Sequence, residues 1–218
     1  KIDKEFFVRL VDLKNKNIDI KLIPGSGLPF VYQTTKVFTE KRFENYSFNK
    51  KIDFLFCARL LKSKGIKYFI DLSSYYQSSL FYIYGEPDPN SKDSITNKEL
   101  DLLKSNYGNL KLMGFVKNPL LNHLKQTTIL IVPSNYGEGF PRAVIEAISI
   151  GIPVITFRNS CKGNFSDKEV FIAKDNNLES LVSEVTKVLE LIENKQIISF
   201  LRKSREMVLK NYTEEIIV

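Results

Sequence analysis

From about Ile52 onward, short apolar runs alternate with segments of helical spacing, and this rhythm constrains the fold more than any other feature. Phe54 to Ala58, Leu80 to Tyr84, Leu110 to Met113, Ile129 to Val132, Val154 to Phe157 and Val170 to Ala173 read as strands. Between them Gly65 to Ser78, Asn97 to Tyr107, Pro119 to Lys125 and Pro141 to Ser149 read as helices, with Leu100 and Leu103 turned inward. Leu178 to Ile192 and Ile197 to Lys210 read as closing helices. Strands that are apolar throughout are buried on both faces, which a parallel sheet covered by helices provides. The expected fold is α/β, a Rossmann-like doubly wound parallel sheet. In such sheets ligands sit outside the carboxyl ends of the strands, where the strand order switches. Residues at strand ends are therefore the ones that carry function.

Residues 1–50 do not join this rhythm and read as an entry segment, with a helix over Glu5 to Leu13 and a strand over Ile18 to Ile23. Residues 51–210 form the expected Rossmann-like domain, and 211–218 a truncated tail. The chain starts with Lys1 rather than Met, so it is expected to be trimmed from something longer.

Composition narrows the function classes. No apolar run approaches the roughly 20 residues of a membrane helix, and no signal-peptide pattern opens the chain. Two cysteines, Cys57 and Cys161, do not make a disulfide framework, so a cytoplasmic setting is expected. The net charge of +7 comes from 32 basic residues, mostly scattered Lys interleaved with acids. That pattern fits a solvated surface, or attraction to anionic headgroups at the inner face of a membrane. No zinc-ligand spacing or nucleic-acid-binding motif accompanies it, so nucleic acid is not an expected partner. His123, the only histidine, is expected on the surface without a partner, and no cluster suggests a metal.

The chemistry concentrates between Pro133 and Val154. Gly137 and Gly139 let the backbone approach a ligand, and Pro141 suits the first turn of a helix. The N–H groups of Phe140, Arg142, Ala143 and Val144 would then point out of the helix start and seat phosphate oxygens. Glu138 precedes the helix and suits sugar hydroxyls. Glu146 stands one turn beyond Arg142, about 6 Å along the axis, in reach of a ribose diol. Arg59 and Lys64 follow the first core strand and together suit a diphosphate. Gly114, Phe115 and Val116 follow another strand end and suit a base. Each group also has a plain reading, as a helix with acids near its start, a solvated basic loop, or a strand-end Gly beside a core Phe. Cys161 beside Lys162 has no evident base.

In their order and spacing these elements resemble the C-terminal, donor-binding domain of retaining glycosyltransferases of the GT-B fold, glycosyltransferase family 4. The resemblance covers roughly Ile20 to Lys210. It rests on Ile23 to Gly27, Arg59 with Lys64 and Gly65, Met113 to Val116, Val132 to Ser134, Glu138 with Glu146, and Gly151 to Ile155. It implies that Arg59 and Lys64 hold the donor diphosphate and that Glu138 contacts the donor sugar, with Gly139, Phe140 and Pro141 nearby. It also implies that amides around Ala143 and Val144 meet phosphate, that Glu146 binds ribose, and that Phe115 and Val116 lie at the base. The family uses a UDP- or GDP-linked sugar as co-substrate, generally without metal or other cofactor. Its acceptor, a glycan or lipid, is held by an N-terminal domain that this chain lacks. Leu28-Pro29 departs from the usual Val-Asp, and Arg158 to Lys174 is short and atypical. The expected function is donor binding for hexosyl transfer in surface polysaccharide synthesis, with the chain alone inactive. A non-catalytic interaction module of the same fold and a sugar-nucleotide epimerase are the alternatives.

Overall fold

A computed structural model describes Leu28, Pro29, Tyr32 and residues 51–124, 127–135, 141–161 and 165–212. Among the described residues six strands appear where apolar runs are densest: β1 (Ile52–Cys57), β2 (Phe81–Tyr84), β3 (Leu110–Gly114), β4 (Thr127–Val132), β5 (Val154–Phe157) and β6 (Phe171–Ala173). Among the described residues five α-helices accompany them: α1 (Ile66–Ser73), α2 (Asn97–Asn106), α3 (Arg142–Ser149), α4 (Leu178–Glu193) and α5 (Ile197–Asn211). Every strand pair is parallel, and the order across the sheet is β3-β2-β1-β4-β5-β6. The expected doubly wound class is therefore the one observed. The order reverses direction between β1 and β4, which makes their carboxyl ends the switch point.

Side-chain alternation along the strands divides the core in two. Phe54, Phe56, Ile83, Ile129, Ile131, Ile155 and Phe157 point to one face, against α1 and α4. Phe81 stacks on Phe54 with ring centroids 4.6 Å apart and meets Phe69 of α1 edge to face at 5.2 Å. Leu55, Tyr84, Leu130 and Val154 point to the other face, against Val144, Ile145 and Ile148 of α3. Helix α5 serves both layers, with Ile197 and Leu201 in the first and Val208 in the second.

Two residues of the entry segment join the second layer. Leu28 and Tyr32 are fully buried there, and the Leu28 N–H donates to the Tyr212 carbonyl at 2.7 Å, tying entry to exit. The helix and strand expected over Glu5 to Leu13 and Ile18 to Ile23 lie outside the described residues.

Helix α1 stops at Ser73, five residues short of the expected end. Its end is closed by a residue distant in sequence. The Asn109 side-chain amide, at the start of β3, donates to the carbonyls of Ser73 at 3.0 Å and Ser79 at 3.3 Å. Released from the helix, Tyr76 packs on Phe54. Helix α2 is fixed at its start by a reciprocal capping pair, Thr96 and Glu99. Those bonds, with Lys62 nearby, hold the Glu99 carboxyl down to about 2.

His123 is buried, contrary to the surface position expected from sequence. It lies on a 3-10 turn, Pro119–His123, where residues three apart share a face. Leu120 and His123 therefore point inward together, and the His123 Nε2 and Tyr84 hydroxyl are 2.7 Å apart. Tyr82 packs edge-on against the imidazole. Burial, helped by nearby acidic groups, pushes the Tyr84 hydroxyl up to about 12. Tyr84→Phe deletes this bond inside the core and is expected to cost about 1–3 kcal/mol. Urea unfolding measures it, and a change below about 0.5 kcal/mol would deny the bond a structural role.

Candidate functional site

The loops at the carboxyl ends of β3, β2, β1 and β4 are fastened to one another in sheet order. The Gly85 N–H donates to the Gly114 carbonyl at 2.9 Å, and the Ala58 N–H to the Tyr84 carbonyl at 3.1 Å. A Cβ on Gly85 would stand 1.9 Å from the Ala58 carbonyl oxygen, so only glycine permits this approach. On the other side the Asn135 N–H donates to the Ser63 carbonyl at 3.0 Å. There Gly65, at φ +75°, leaves no space for a side chain over Pro133.

Over this floor lies a cleft of about 480 Å³. It brings together Arg59 after β1, Phe115 and Val116 after β3, and Arg142, Ala143 and Glu146 of α3. These six come from three separate stretches that sequence analysis had marked as ligand-facing. Phe115 is 76% exposed, with its ring at the rim rather than in the core. Lys64 is not among the residues lining this cleft. It sits one turn on, in the short 3-10 turn Lys62–Lys64 that docks beside the end of β4. Glu138, Gly139 and Phe140, and the side chain of Cys161, lie outside the described residues.

Two expectations at the start of α3 are corrected. Pro141 caps the helix from outside its first turn, one position earlier than expected. In consequence the Val144 N–H is already used, donating to the Pro141 carbonyl at 3.0 Å. Arg142 and Ala143 supply the amides that face outward from the helix start, where the dipole favours an anion.

The charged groups are arranged in pairs. Arg59 Nη1 bonds Asp88 Oδ2 at 2.7 Å, and Arg59 itself is largely exposed. Asp88 is held in turn, because its other carboxylate oxygen accepts the Asn90 N–H at 3.0 Å and the Asp88 N–H donates to Ser94 Oγ at 2.8 Å. Arg142 Nε bonds Glu146 Oε1 at 2.8 Å across one helical turn, with the Glu146 side chain only 12% exposed. Burial raises the Glu146 carboxyl above its ordinary value, while Arg142 and then the Tyr32 hydroxyl pull it back. Cys57, at the cleft floor, has its thiol pushed up by burial and by the Glu146 charge, so it stays protonated. Sequence reasoning missed Asp88, Cys57, Tyr84 and Glu86 as lining residues. The rule that ligands meet strand carboxyl ends pointed to Gly85 to Pro89, directly after β2, as it did to the segments after β1 and β3.

The raised Glu146 carboxyl has a pH consequence. Relative to the unfolded chain, folding disfavours the charged carboxylate, so the contribution of Glu146 to stability is present below the ordinary 4.5 and is lost as the pH rises through the raised value. A ligand diol that bonds the carboxylate requires the charged form. Ligand affinity is therefore expected to fall as the pH is lowered toward that raised value, and Glu146→Gln is expected to lack this fall. Calorimetric titration of both proteins across the same pH range compares them directly.

Residues 37–214 match the family described as glycosyl transferases group 1. The chain belongs to this family. It is 30% identical over 155 residues to an uncharacterized glycosyltransferase of Methanocaldococcus jannaschii, covering 69% of this chain and 35% of that protein. An uncharacterized 42.6 kDa protein in the cps region of Klebsiella pneumoniae is 28% identical over 148 residues, covering 67% of this chain and 36% of that protein. The chain thus spans about a third of the length of these curated relatives. Among solved structures, sucrose-phosphate synthase from Thermosynechococcus elongatus superposes with a TM-score of 0.73 at 19% identity, over 100% of this chain and 54% of that one. Anabaena HepE in complex with UDP gives 0.68 at 18% identity, over 90% and 54%. The group 1 domain therefore has the architecture of the C-terminal half of GT-B glycosyltransferases. No described helix is long and apolar enough to cross a membrane.

Proposed function

We propose that this group 1 domain is the donor-binding half of a retaining, family 4 glycosyltransferase that transfers a hexosyl group from a UDP- or GDP-linked sugar. The observation that carries this reading is the meeting of Arg59, Arg142, Ala143 and Glu146 in one cleft at the β1/β4 switch point. The diphosphate lies against the first amides of α3, with Arg59 as its counter-charge, and the ribose diol meets Glu146. Lys64 and Glu138 complete the sugar-diphosphate end. The anomeric carbon–oxygen bond to phosphate breaks as the acceptor oxygen bonds the same carbon. The acceptor proton passes to the departing phosphate, and the nucleoside diphosphate leaves. Arg59 contributes to the rate by stabilising charge on that leaving group.

The acceptor, a glycan or lipid-linked oligosaccharide of a surface polysaccharide, is held by a separate N-terminal domain. The similarity to a protein in a cps region is in keeping with that role. The whole enzyme works in the cytoplasm at the inner membrane face, without metal or other cofactor, and this chain alone transfers nothing. Thermal unfolding with UDP, GDP and ADP tests the donor site. A nucleotide at one hundred times its Kd adds about 2.7 kcal/mol to stability. A melting point unmoved by all three at saturating concentration overturns the reading.

A further inference from the structure

We infer that Glu86 selects guanine as the donor base. This rests on the donor-site reading above and deepens it by choosing among nucleotides. The cleft has two chemically different ends. At the β4 end stand the α3 amides, Arg142 and Glu146, while Arg59, which follows β1, is bonded to Asp88 in the loop after β2. From there the sheet order carries the cleft across β2 to β3. That is three strand spacings, about 14 Å, comparable with the length of an extended nucleoside diphosphate. With phosphates on α3 and ribose at Glu146, the base reaches the β2–β3 end.

That end is lined by Tyr84, Pro87, Pro89, Phe115, Val116 and Pro119, which carry no charge, and by Asp88, whose carboxylate is paired with Arg59. Glu86 stands among them. Its carboxylate has no hydrogen-bond or ion-pair partner among the described residues, in contrast to Asp88, which holds Arg59. Its backbone is locked in place, because the Leu60 N–H donates to the Glu86 carbonyl at 3.0 Å and neighbouring Gly85 is tied to Gly114. The side chain reaches over Gly114, with Oε1 3.9 Å from the point where a Cβ on that glycine would stand. The exposed Phe115 ring follows immediately, a surface on which a base can stack.

An ionised carboxylate only accepts hydrogen bonds. Guanine sets two adjacent donors, N1–H and the N2 amino group, on its Watson–Crick edge, and they match the two carboxylate oxygens. Uracil offers one N–H flanked by two carbonyl oxygens, which the carboxylate repels. Adenine and cytosine each offer an amino group beside a ring-nitrogen acceptor, which meets the second carboxylate oxygen with repulsion. Glu86 is exposed, and a charge-assisted pair is the stronger class of hydrogen bond.

Calorimetric titration of the full chain and of Glu86→Gln with GDP, UDP, ADP and CDP tests the inference. GDP is expected to bind the unaltered chain at least about tenfold more tightly than the other three. In Glu86→Gln that preference is expected to vanish, with UDP affinity unchanged or higher because a negative charge is gone. The UDP titration also serves as the check that the variant is folded. UDP or ADP binding as tightly as GDP, or a GDP preference that survives Glu86→Gln, overturns the guanine assignment and leaves the donor-site reading standing. Failure of all four to bind the unaltered chain overturns the donor-site reading and this inference with it.

Discussion

Gly65→Ala is expected to lower the unfolding free energy by about 3 kcal/mol or more. Gly65 sits at φ +75°, where a side chain costs about 1–2 kcal/mol by itself. The new Cβ would also stand 1.8 Å from the Pro133 carbonyl oxygen and 2.5 Å from its carbon. Both are backbone atoms, so relief requires the turn to leave the end of β4. The turn is held there by the Asn135 N–H and the Ser134 hydroxyl, both bonded to the Ser63 carbonyl. On its other side the Ser63 N–H and hydroxyl bind the Asp93 carboxylate. Loss of such bonds adds about 0.5–1.5 kcal/mol each. For a chain of this size the fall corresponds to roughly 6–12 °C in Tm. Gly108→Ala is the control, because nothing lies within 4 Å of its Cβ position, and it is expected to change stability by no more than about 0.5 kcal/mol. Equal stability of the two variants in urea would mean that the β1 and β4 loops are not packed as described.

The second large effect is on binding. Arg59→Ala is expected to weaken a nucleoside diphosphate by about 10- to 150-fold, the equivalent of about 1.5–3 kcal/mol for bonds to a charged group. The same variant is expected to leave the affinity of the corresponding nucleoside unchanged, because Arg59 serves the phosphates alone. Its pair with Asp88 does not prevent this. The Arg59 side chain is 66% exposed, and exposed pairs are worth only about 0.2–1 kcal/mol. A diphosphate carries more charge than Asp88 and offers more acceptors to the guanidinium fork. Calorimetry with both ligands separates the outcomes. Equal losses for diphosphate and nucleoside would place the effect in folding rather than in phosphate binding.

Much of this architecture is legible in sequence for one physical reason. A parallel sheet covered on both faces needs strands such as Phe54 to Cys57 and Ile129 to Val132 to be apolar throughout, and such runs stand out. Helix ends and side-chain pairs obey no such period. Asn109 closes α1 from 36 residues away, and Asp88 reaches Arg59 across 29, so neither is visible in a local window. His123 was misplaced because its turn follows a three-residue repeat with Leu120 rather than α-helical spacing. At α3 the error was one residue. Pro141 in the cap position moves every amide along by one, and Val144 is thereby spent inside the helix. Arg59, Arg142 and Glu146 were marked by their place at strand and helix ends, and the switch in strand order brings them together.

The most direct test of the central claim is a crystal structure of this chain with a bound nucleoside diphosphate. The donor-site reading predicts phosphate oxygens within hydrogen-bond distance of the Arg142 and Ala143 amides and of Arg59, with the ribose hydroxyls on Glu146. A nucleotide seated elsewhere, such as the cavity of about 620 Å³ lined by Arg158, Phe171 and Lys187 at the far side of the sheet, would contradict it.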